Sequence, residues 1–206
     1  MNRSCRTRLP LLAGAMAGPL FVTTFTVAGA RRPGYDPARH PVSSLALGPG
    51  GWVQAINFAV TGALVLAGAG GLARAAPGRV VPALVGAAGA GLLGSAVFVT
   101  DPVGGYPAGT PDVPEVRTRA GTVHDLVALP IFLGLPAAAL LDSWRRLRAG
   151  DTGRALGSGA TAAVMLAGLG RSAAVSAGAP GRDQRVAVVA AFGWLTALML
   201  ERARSR

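Results

Sequence analysis

The chain has 206 residues, of which 51% are hydrophobic and only 14% are charged, against about 25% charged residues in ordinary soluble proteins. This composition argues against a soluble domain and favours a single all-α integral membrane domain over residues 1–206, because helices in lipid satisfy their own backbone groups. The formal net charge is +11 but only 5% of the residues are aromatic, which argues against a nucleic-acid partner, since base stacking needs aromatic side chains.

Six apolar segments follow one another along the chain. A helix needs about 20 residues to cross about 30 Å of hydrocarbon, and most of the segments reach that length. They are predicted at residues 9–30, 52–73, 80–100, 121–141, 155–176 and 186–200. We therefore expect a polytopic helix bundle of about six transmembrane helices, surrounded by membrane lipid.

The first segment, 9–30, has a second interpretation. Arginines precede it and the sequence AlaGlyAla ends it, as in a secretory signal peptide with its cleavage site. Its apolar run is longer than the roughly 7–15 residues usual in such a peptide. We favour a retained helix, and cleavage would leave the later topology unchanged.

The arginines predict the orientation of the bundle. If the N-terminus lies inside the cell, the inner segments carry more arginines than the outer loops, as the positive-inside rule requires. Both termini are then cytoplasmic, and the chain is a multi-pass protein of the plasma membrane. The two longest loops, 31–51 and 101–120, would lie outside.

Polar residues from separate segments reach the outer boundary of this predicted bundle. The candidates for a pocket or site are Asp36, His40, Ser43, Asp101, His124, Asp125 and Arg171. Arg171 lies within the fifth predicted span, where a charge costs about 2.5–3.5 kcal/mol on insertion scales. We therefore expect it to have a carboxylate partner, with Asp101 or Asp125 nearest to it in depth.

Two histidines and an aspartate, His40, His124 and Asp101, would suffice as protein ligands for a catalytic zinc with an open water position. Ser43 would then orient a substrate or act as a nucleophile. No compact ligand motif joins these residues. In the alternative interpretation the histidines cap helix ends and bridge loops, and Asp101 pairs with Arg171. At this point both interpretations stay open.

Small residues recur every four positions in two of the predicted helices. The sets are Gly86, Ala90 and Gly94 in the third helix, and Gly159, Ala163 and Ala167 in the fifth. Such faces let helix backbones approach each other closely in lipid. We expect them to serve internal packing, with contacts in a homo-oligomer as the alternative.

Four segments resemble a bacterial family of six-pass membrane proteins catalogued as domain of unknown function 998. They are RPGYDPARHPVSSLALGPGGWVQAIN (32–57), TDPVGGYPAGTPDVP (100–114), GTVHDL (121–126) and GLGR (168–171). The resemblance covers nearly the whole chain and implies an all-helical integral membrane fold, with no established activity, substrate or cofactor. The characteristic polar positions of the family match His40, Ser43, Asp101, His124 and Arg171.

A fainter similarity exists to membrane hydrolases of the alkaline ceramidase and adiponectin-receptor type, and it implies a zinc held by histidines and an aspartate. The chain departs from that pattern, because it has no histidine after His124. A site with three histidine ligands is therefore out of reach within one chain.

Two hypotheses for function follow. In the first, the chain is an integral membrane protein with an outward-facing polar pocket that serves binding, transport or assembly. In the second, it is a membrane-embedded hydrolase, with or without a metal, that acts on a lipid or amphiphile at the outer leaflet. An ion-coupled transporter would carry polar groups near the midplane, whereas here the polar residues collect at one boundary and the inner helix halves are almost wholly apolar. The pattern favours the first hypothesis.

Overall fold

The computed structural model describes residues 3–75, 78–113, 116–173 and 179–205, and its regular structure within these ranges is helical. The helices are α1 (Arg3–Arg31), α2 (Trp52–Ala75), α3 (Val80–Val97), α4 (Arg119–Leu129), α5 (Leu135–Arg148), α6 (Thr152–Ala173) and α7 (Pro180–Arg204). A π-helical segment, Pro130–Gly134, joins α4 to α5 without a break, so the two form one long helix. A short 3₁₀ helix, Val42–Ala46, lies in the first loop. The all-α prediction is confirmed.

Five helical segments are long and apolar enough to cross a membrane. They are Arg6–Arg31, Trp52–Ala75, Val80–Val97, Arg119–Arg148 and Pro180–Arg204. They correspond to five of the six predicted spans, so the chain is an integral membrane protein. The other predicted span, 155–176, forms α6, whose glycine, serine and threonine residues make it less apolar, and its last three residues lie outside the described part of the chain.

The helices pack as a closed ring of six rods. Each rod contacts the next along the chain, and α7 returns to pack against α1. Because consecutive rods run antiparallel, their connections alternate between the two ends of the ring. We call the end with segments 32–51 and 98–118 the loop face. We call the other end, which holds Arg3 of α1, Arg204 of α7 and residues 149–151, the terminal face.

Glycines allow the closest approaches between helices. Gly14 on α1 faces Gly68 on α2, and a Cβ on Gly14 would lie 2.7 Å from the Gly68 Cα. Gly62 meets Gly89 of α3 in the same way, where a Cβ on Gly62 would lie 2.8 Å from the Gly89 carbonyl oxygen. Since a side chain at these positions would separate the backbones, small residues are required here for helix contact.

The two predicted small-residue faces do not each pack as a unit. In α3, Gly94 is turned toward Val127 of α4, whereas Ala90 is exposed. In α6, Ala163 and Ala167 are exposed. The buried face of α6 is formed instead by Ala162 and other residues about one helical turn from it. The expectation of internal packing is therefore wrong for these exposed alanines. A role in a homo-oligomer remains a prediction.

Candidate functional site

The first loop folds back over the bundle and is tied to the second loop by His40. The His40 Nδ1 atom accepts a hydrogen bond from the Asp36 backbone N–H at 2.9 Å, and Nε2 lies 3.1 Å from the Gly104 carbonyl oxygen. Since a carbonyl oxygen only accepts, Nε2 carries the proton and donates it. His40 is 4% exposed and packs beside the rings of Tyr35 and Tyr106, with centroid distances of 5.5 and 5.2 Å. Both ring nitrogens are thus occupied.

Arg185 of α7 also binds the first loop. Its guanidinium donates to the carbonyl oxygens of His40 and Gly181, both at 2.9 Å, and also to the Pro37 carbonyl and the Tyr35 hydroxyl. The guanidinium carbon lies 5.4 Å from the centre of the Tyr35 ring. A single cation therefore connects α7 to the loop at several points.

Tyr35 is a titratable residue on the loop face. Burial raises the pKa of its phenol above the ordinary value of 10, and the nearby Arg185 cation partly opposes this rise. Because the folded state then holds the proton more tightly than the unfolded chain, this contribution to stability is present below pH 10 and is lost as the pH rises through the folded pKa.

Asp101 binds Thr118, the residue that caps the N-terminus of α4. Its Oδ1 accepts from the Thr118 hydroxyl at 2.6 Å and its Oδ2 accepts from the Thr118 backbone N–H at 3.1 Å. The Thr118 hydroxyl in turn accepts from the Gly121 N–H at 2.9 Å. A carboxylate is favoured here by the partial positive charge of a helix N-terminus. A Cβ at Gly121 would overlap the Asp101 carboxyl group, so the glycine allows this contact.

Arg171 does not pair with either of the expected carboxylates. Its Nε lies 3.3 Å from Oδ2 of Asp183 in the first turn of α7. Asp125 pairs with Arg117 instead, and Asp101 is held by Thr118. The sequence-based pairing was therefore wrong, because α6 ends beside the start of α7 rather than beside the second loop.

The three candidate zinc ligands do not fit a metal site as they are arranged. Both ring nitrogens of His40 and both carboxylate oxygens of Asp101 are engaged elsewhere in the protein. Among the described residues, no group of three or more His, Cys, Asp or Glu side chains is placed to hold a metal ion. Asp36 also lies apart, since its Oδ1 accepts from the Ala38 N–H at 2.8 Å within its own turn.

His124 lies at a small internal cavity of about 40 Å³ in the half of the bundle nearest the loop face. Its Nδ1 is 2.7 Å from the Phe98 carbonyl oxygen, so Nδ1 donates and Nε2 is left as an acceptor. The cavity walls combine His124 with the neutral polar residues Ser43, Ser95 and Gln184. Since a water needs only about 10–15 Å³ of such space, the cavity has room for a small polar group.

The rest of the cavity wall is apolar. Phe21 and Phe58, whose ring centroids are 5.7 Å apart, line one side, and Ile131 and Phe132 of the π-helical segment line another. No charged residue lines the cavity within the part of the chain that the structure describes. A π-helical turn inserted in an α-helix is often found at functional sites. Its position beside His124 marks this cavity as the candidate site.

A row of buried polar residues on α2 lies near the same end of the bundle and was not predicted. The Asn57 amide donates to the Phe21 carbonyl at 3.2 Å and to Gln54 at 3.3 Å, and the Thr61 hydroxyl donates to Asn57 at 3.5 Å. Their spacing of three and four residues places them on one helix face. That spacing was available in the sequence as a sign that this face is turned inward.

The terminal face holds a buried ionic network, contrary to the expectation that the inner helix halves are almost wholly apolar. Arg146 is 8% exposed; its Nε donates to Asp142 at 2.6 Å, and its two terminal nitrogens donate to the Glu201 carboxylate at 3.1 and 2.7 Å. Asp142 also accepts from the Ser158 hydroxyl at 2.8 Å. The four-residue spacing of Asp142 and Arg146 was visible in the sequence, whereas the contact with Glu201 was not.

One comparison with known proteins identifies a family. The family described as "Protein of unknown function (DUF998)" matches residues 15–201. No curated protein and no solved structure matches the chain. The fainter similarity to membrane hydrolases is therefore not shown.

Proposed function

The chain belongs to the DUF998 family, and we propose that it is a plasma-membrane protein whose cavity binds a small uncharged polar group, such as the hydroxyl end of an amphiphile. The observation that carries this proposal is the acceptor Nε2 of His124, beside a cavity lined by neutral polar and aromatic side chains. The absence of charge among the described lining residues supports a neutral ligand, because a buried ion without a partner is strongly disfavoured.

The distribution of charge supports the orientation that we propose. Arginines are most numerous at the terminal face, and the positive-inside rule places such a face in the cytoplasm. On the loop face, Arg32, Arg171 and Arg185 contact carbonyl or carboxylate groups of the protein itself. The cavity would then lie in the outer half of the membrane, and its ligand would come from the outer leaflet or from outside the cell.

Ligand binding is tested by thermal unfolding in detergent with three probes of equal chain length: dodecanol, dodecane and dodecanoate. We expect dodecanol to raise the melting temperature, because a ligand at 100 times its Kd adds about 2.7 kcal/mol of stability. We expect dodecane and dodecanoate to raise the melting temperature less, since dodecane lacks the polar group and dodecanoate would bury a charge.

The matched variants are His124→Leu and Asp125→Asn. The first removes the acceptor at the cavity, so the effect of dodecanol should disappear. The second changes a neighbouring exposed carboxylate that pairs with Arg117, so the effect should remain. An equal shift with dodecane and dodecanol in the wild type would contradict the proposal.

A second function, a metal-free hydrolase, is favoured by one specific observation: two serines, Ser43 and Ser95, line the cavity together with His124. A histidine with an acceptor Nε2 is able to take the proton of a serine hydroxyl while the serine oxygen attacks an ester carbonyl. We expect a fluorophosphonate probe to add covalently to one of these serines, as measured by intact mass, and not to the His124→Leu variant. If both proteins stay unlabelled, the hydrolase proposal is wrong and the binding proposal stands.

A further inference from the structure

An open groove of about 940 Å³ lies between α6 and α7 at the terminal face. Gly157 of α6 and Gly193 of α7 line it, and a Cβ at either position would meet no heavy atom within 4 Å. Thr161 and Ala197 continue the lining one turn farther along each helix. The groove is therefore a depression made by small residues on the outer surface of the bundle. It lies at the opposite end of the helices from the His124 cavity.

The end of the groove at the terminal face is positively charged. Arg146, Arg154 and Arg204 line it together with one carboxylate, Glu201. Arg146 already binds both oxygens of Glu201. Arg204 is exposed and forms no ion pair with any described residue. Arg154 pairs with Asp151 at 2.9 Å and lies 3.9 Å from the Glu201 carboxylate, but its side chain is 64% exposed. Arg204 is thus an unpaired cation at this end, and the exposed part of the Arg154 guanidinium can contact the same ligand.

The length of the groove matches one leaflet of a bilayer. From Gly193 to Arg204 the axis of α7 rises by about 16 Å, at 1.5 Å per residue. Half of the hydrocarbon core of a bilayer is about 15 Å. A lipid with its phosphate near Arg204 would therefore place one acyl chain along the groove as far as Gly193.

We propose that the α6–α7 groove binds an anionic phospholipid of the leaflet at the terminal face. Arg154 and Arg204 bind the phosphate and the anionic headgroup, and the acyl chain lies against Gly157, Gly193 and Ala197. Basic pockets between transmembrane helices on the cytoplasmic side are suited to anionic headgroups. This site shares no lining residue with the His124 cavity, so it stands independently of the ligand proposed there.

Trp194 provides a direct readout, because it lines the groove and donates from Nε1 to the Ser158 hydroxyl at 3.2 Å. The chain has three tryptophans, so Trp52→Phe and Trp144→Phe together leave Trp194 as the only source of tryptophan fluorescence. This protein is reconstituted in phosphatidylcholine vesicles that contain a fixed fraction of phosphatidylglycerol. Bromine atoms, which quench tryptophan, are carried on the acyl chains of one lipid or of the other.

We expect brominated phosphatidylglycerol to quench Trp194 more strongly, at equal mole fraction, than brominated phosphatidylcholine. Arg154→Gln and Arg204→Gln should each lower the relative affinity for phosphatidylglycerol roughly fivefold. Arg79→Gln, an exposed arginine of the same face outside the groove, should leave it unchanged. Gly193→Leu, whose Cβ would meet no heavy atom within 4 Å, places a larger side chain in the groove and should reduce quenching by both lipids.

Three results would overturn the proposal. The first is equal quenching by the two lipids in the protein with intact arginines. The second is a preference for phosphatidylglycerol that survives Arg154→Gln and Arg204→Gln combined. The third is no quenching by either lipid, as expected if a second copy of the chain covers the groove.

Discussion

Replacing Arg146 with leucine is expected to lower the free energy of unfolding by about 3–5 kcal/mol, the cost of removing one partner from a buried ionic network. The change leaves the buried Asp142 with the Ser158 hydroxyl as its nearest donor, and a guanidinium nitrogen of Arg202 only at 3.9 Å. The loss is measured by thermal or detergent unfolding of the purified protein. Arg148→Leu is the matched control, since Arg148 is exposed and lies over Trp144 at 4.4 Å, and it should cost no more than about 1 kcal/mol.

The physical cause is tested by neutralising the carboxylates that Arg146→Leu leaves behind. Asp142→Asn and Glu201→Gln remove the unpaired charges, so in the Arg146→Leu background they should restore a large part of the stability. A purely steric role for Arg146 would give no such recovery. If Arg146→Leu is as stable as Arg148→Leu, the network does not stabilise the fold.

The second large effect is expected at Arg185, on the opposite face. Arg185→Leu removes the donor to the carbonyl oxygens of Pro37, His40 and Gly181 and to the Tyr35 hydroxyl. Since hydrogen bonds to charged groups contribute roughly 1.5–3 kcal/mol each and act here as one unit, we expect a total loss of about 3 kcal/mol. The first loop should then separate from α7 more often than in the wild type.

Limited trypsin digestion measures this separation directly. Arg39 is exposed and precedes His40 in the part of the loop that Arg185 holds. We expect trypsin to cleave after Arg39 at least about tenfold faster in Arg185→Leu than in the wild type. A change of about 1.4 kcal/mol in the equilibrium for opening of the loop would give this factor. Arg182→Leu is the control, because Arg182 is exposed on the same turn of α7, its side chain pairs with Asp183, and its backbone N–H bond to the Ala38 carbonyl is kept by leucine. Equal cleavage rates in the two variants would show that Arg185 does not hold the loop.

The same variant has a consequence for Tyr35. The Arg185 cation lowers the phenol pKa against the larger effect of burial. Removing the cation should therefore shift the titration of Tyr35 to higher pH, provided that the ring stays buried. A shift toward the ordinary value would instead show that the loop has opened and exposed the ring to water.

The ionic network around Arg146 and the contacts of Arg185 with the first loop show how far the sequence could be interpreted. Five of the six predicted spans agree with helices long and apolar enough to cross a membrane, because apolar runs of about 20 residues have few alternatives to a membrane helix. The predicted starts at Trp52 and Val80 agree with the structure, whereas α5 continues to Arg148 and α7 already begins at Pro180. The placement of His40, Asp101 and His124 near one face also followed, since successive spans must alternate in direction.

Residue pairing depended on the tertiary structure. The sequence indicated Asp101 or Asp125 as the carboxylate nearest to Arg171 in depth, whereas the packing of α6 against α7 places Asp183 beside it. Glu201 is 55 residues from Arg146, and no local pattern connects them. Which of the two histidines keeps a free acceptor was likewise undecided by the sequence, because it depends on the backbone groups that each ring meets.

By itself the sequence determined an all-helical membrane protein, because the cost of exposing backbone groups to lipid permits little else for such apolar segments. The tertiary structure decided the chemistry: it used His40 and Asp101 as links within the loops and left His124 at a cavity. It also placed two exposed arginines beside a groove of small residues. Long-range contacts determine these outcomes, since they fix which neighbour each polar group meets and which surface remains open.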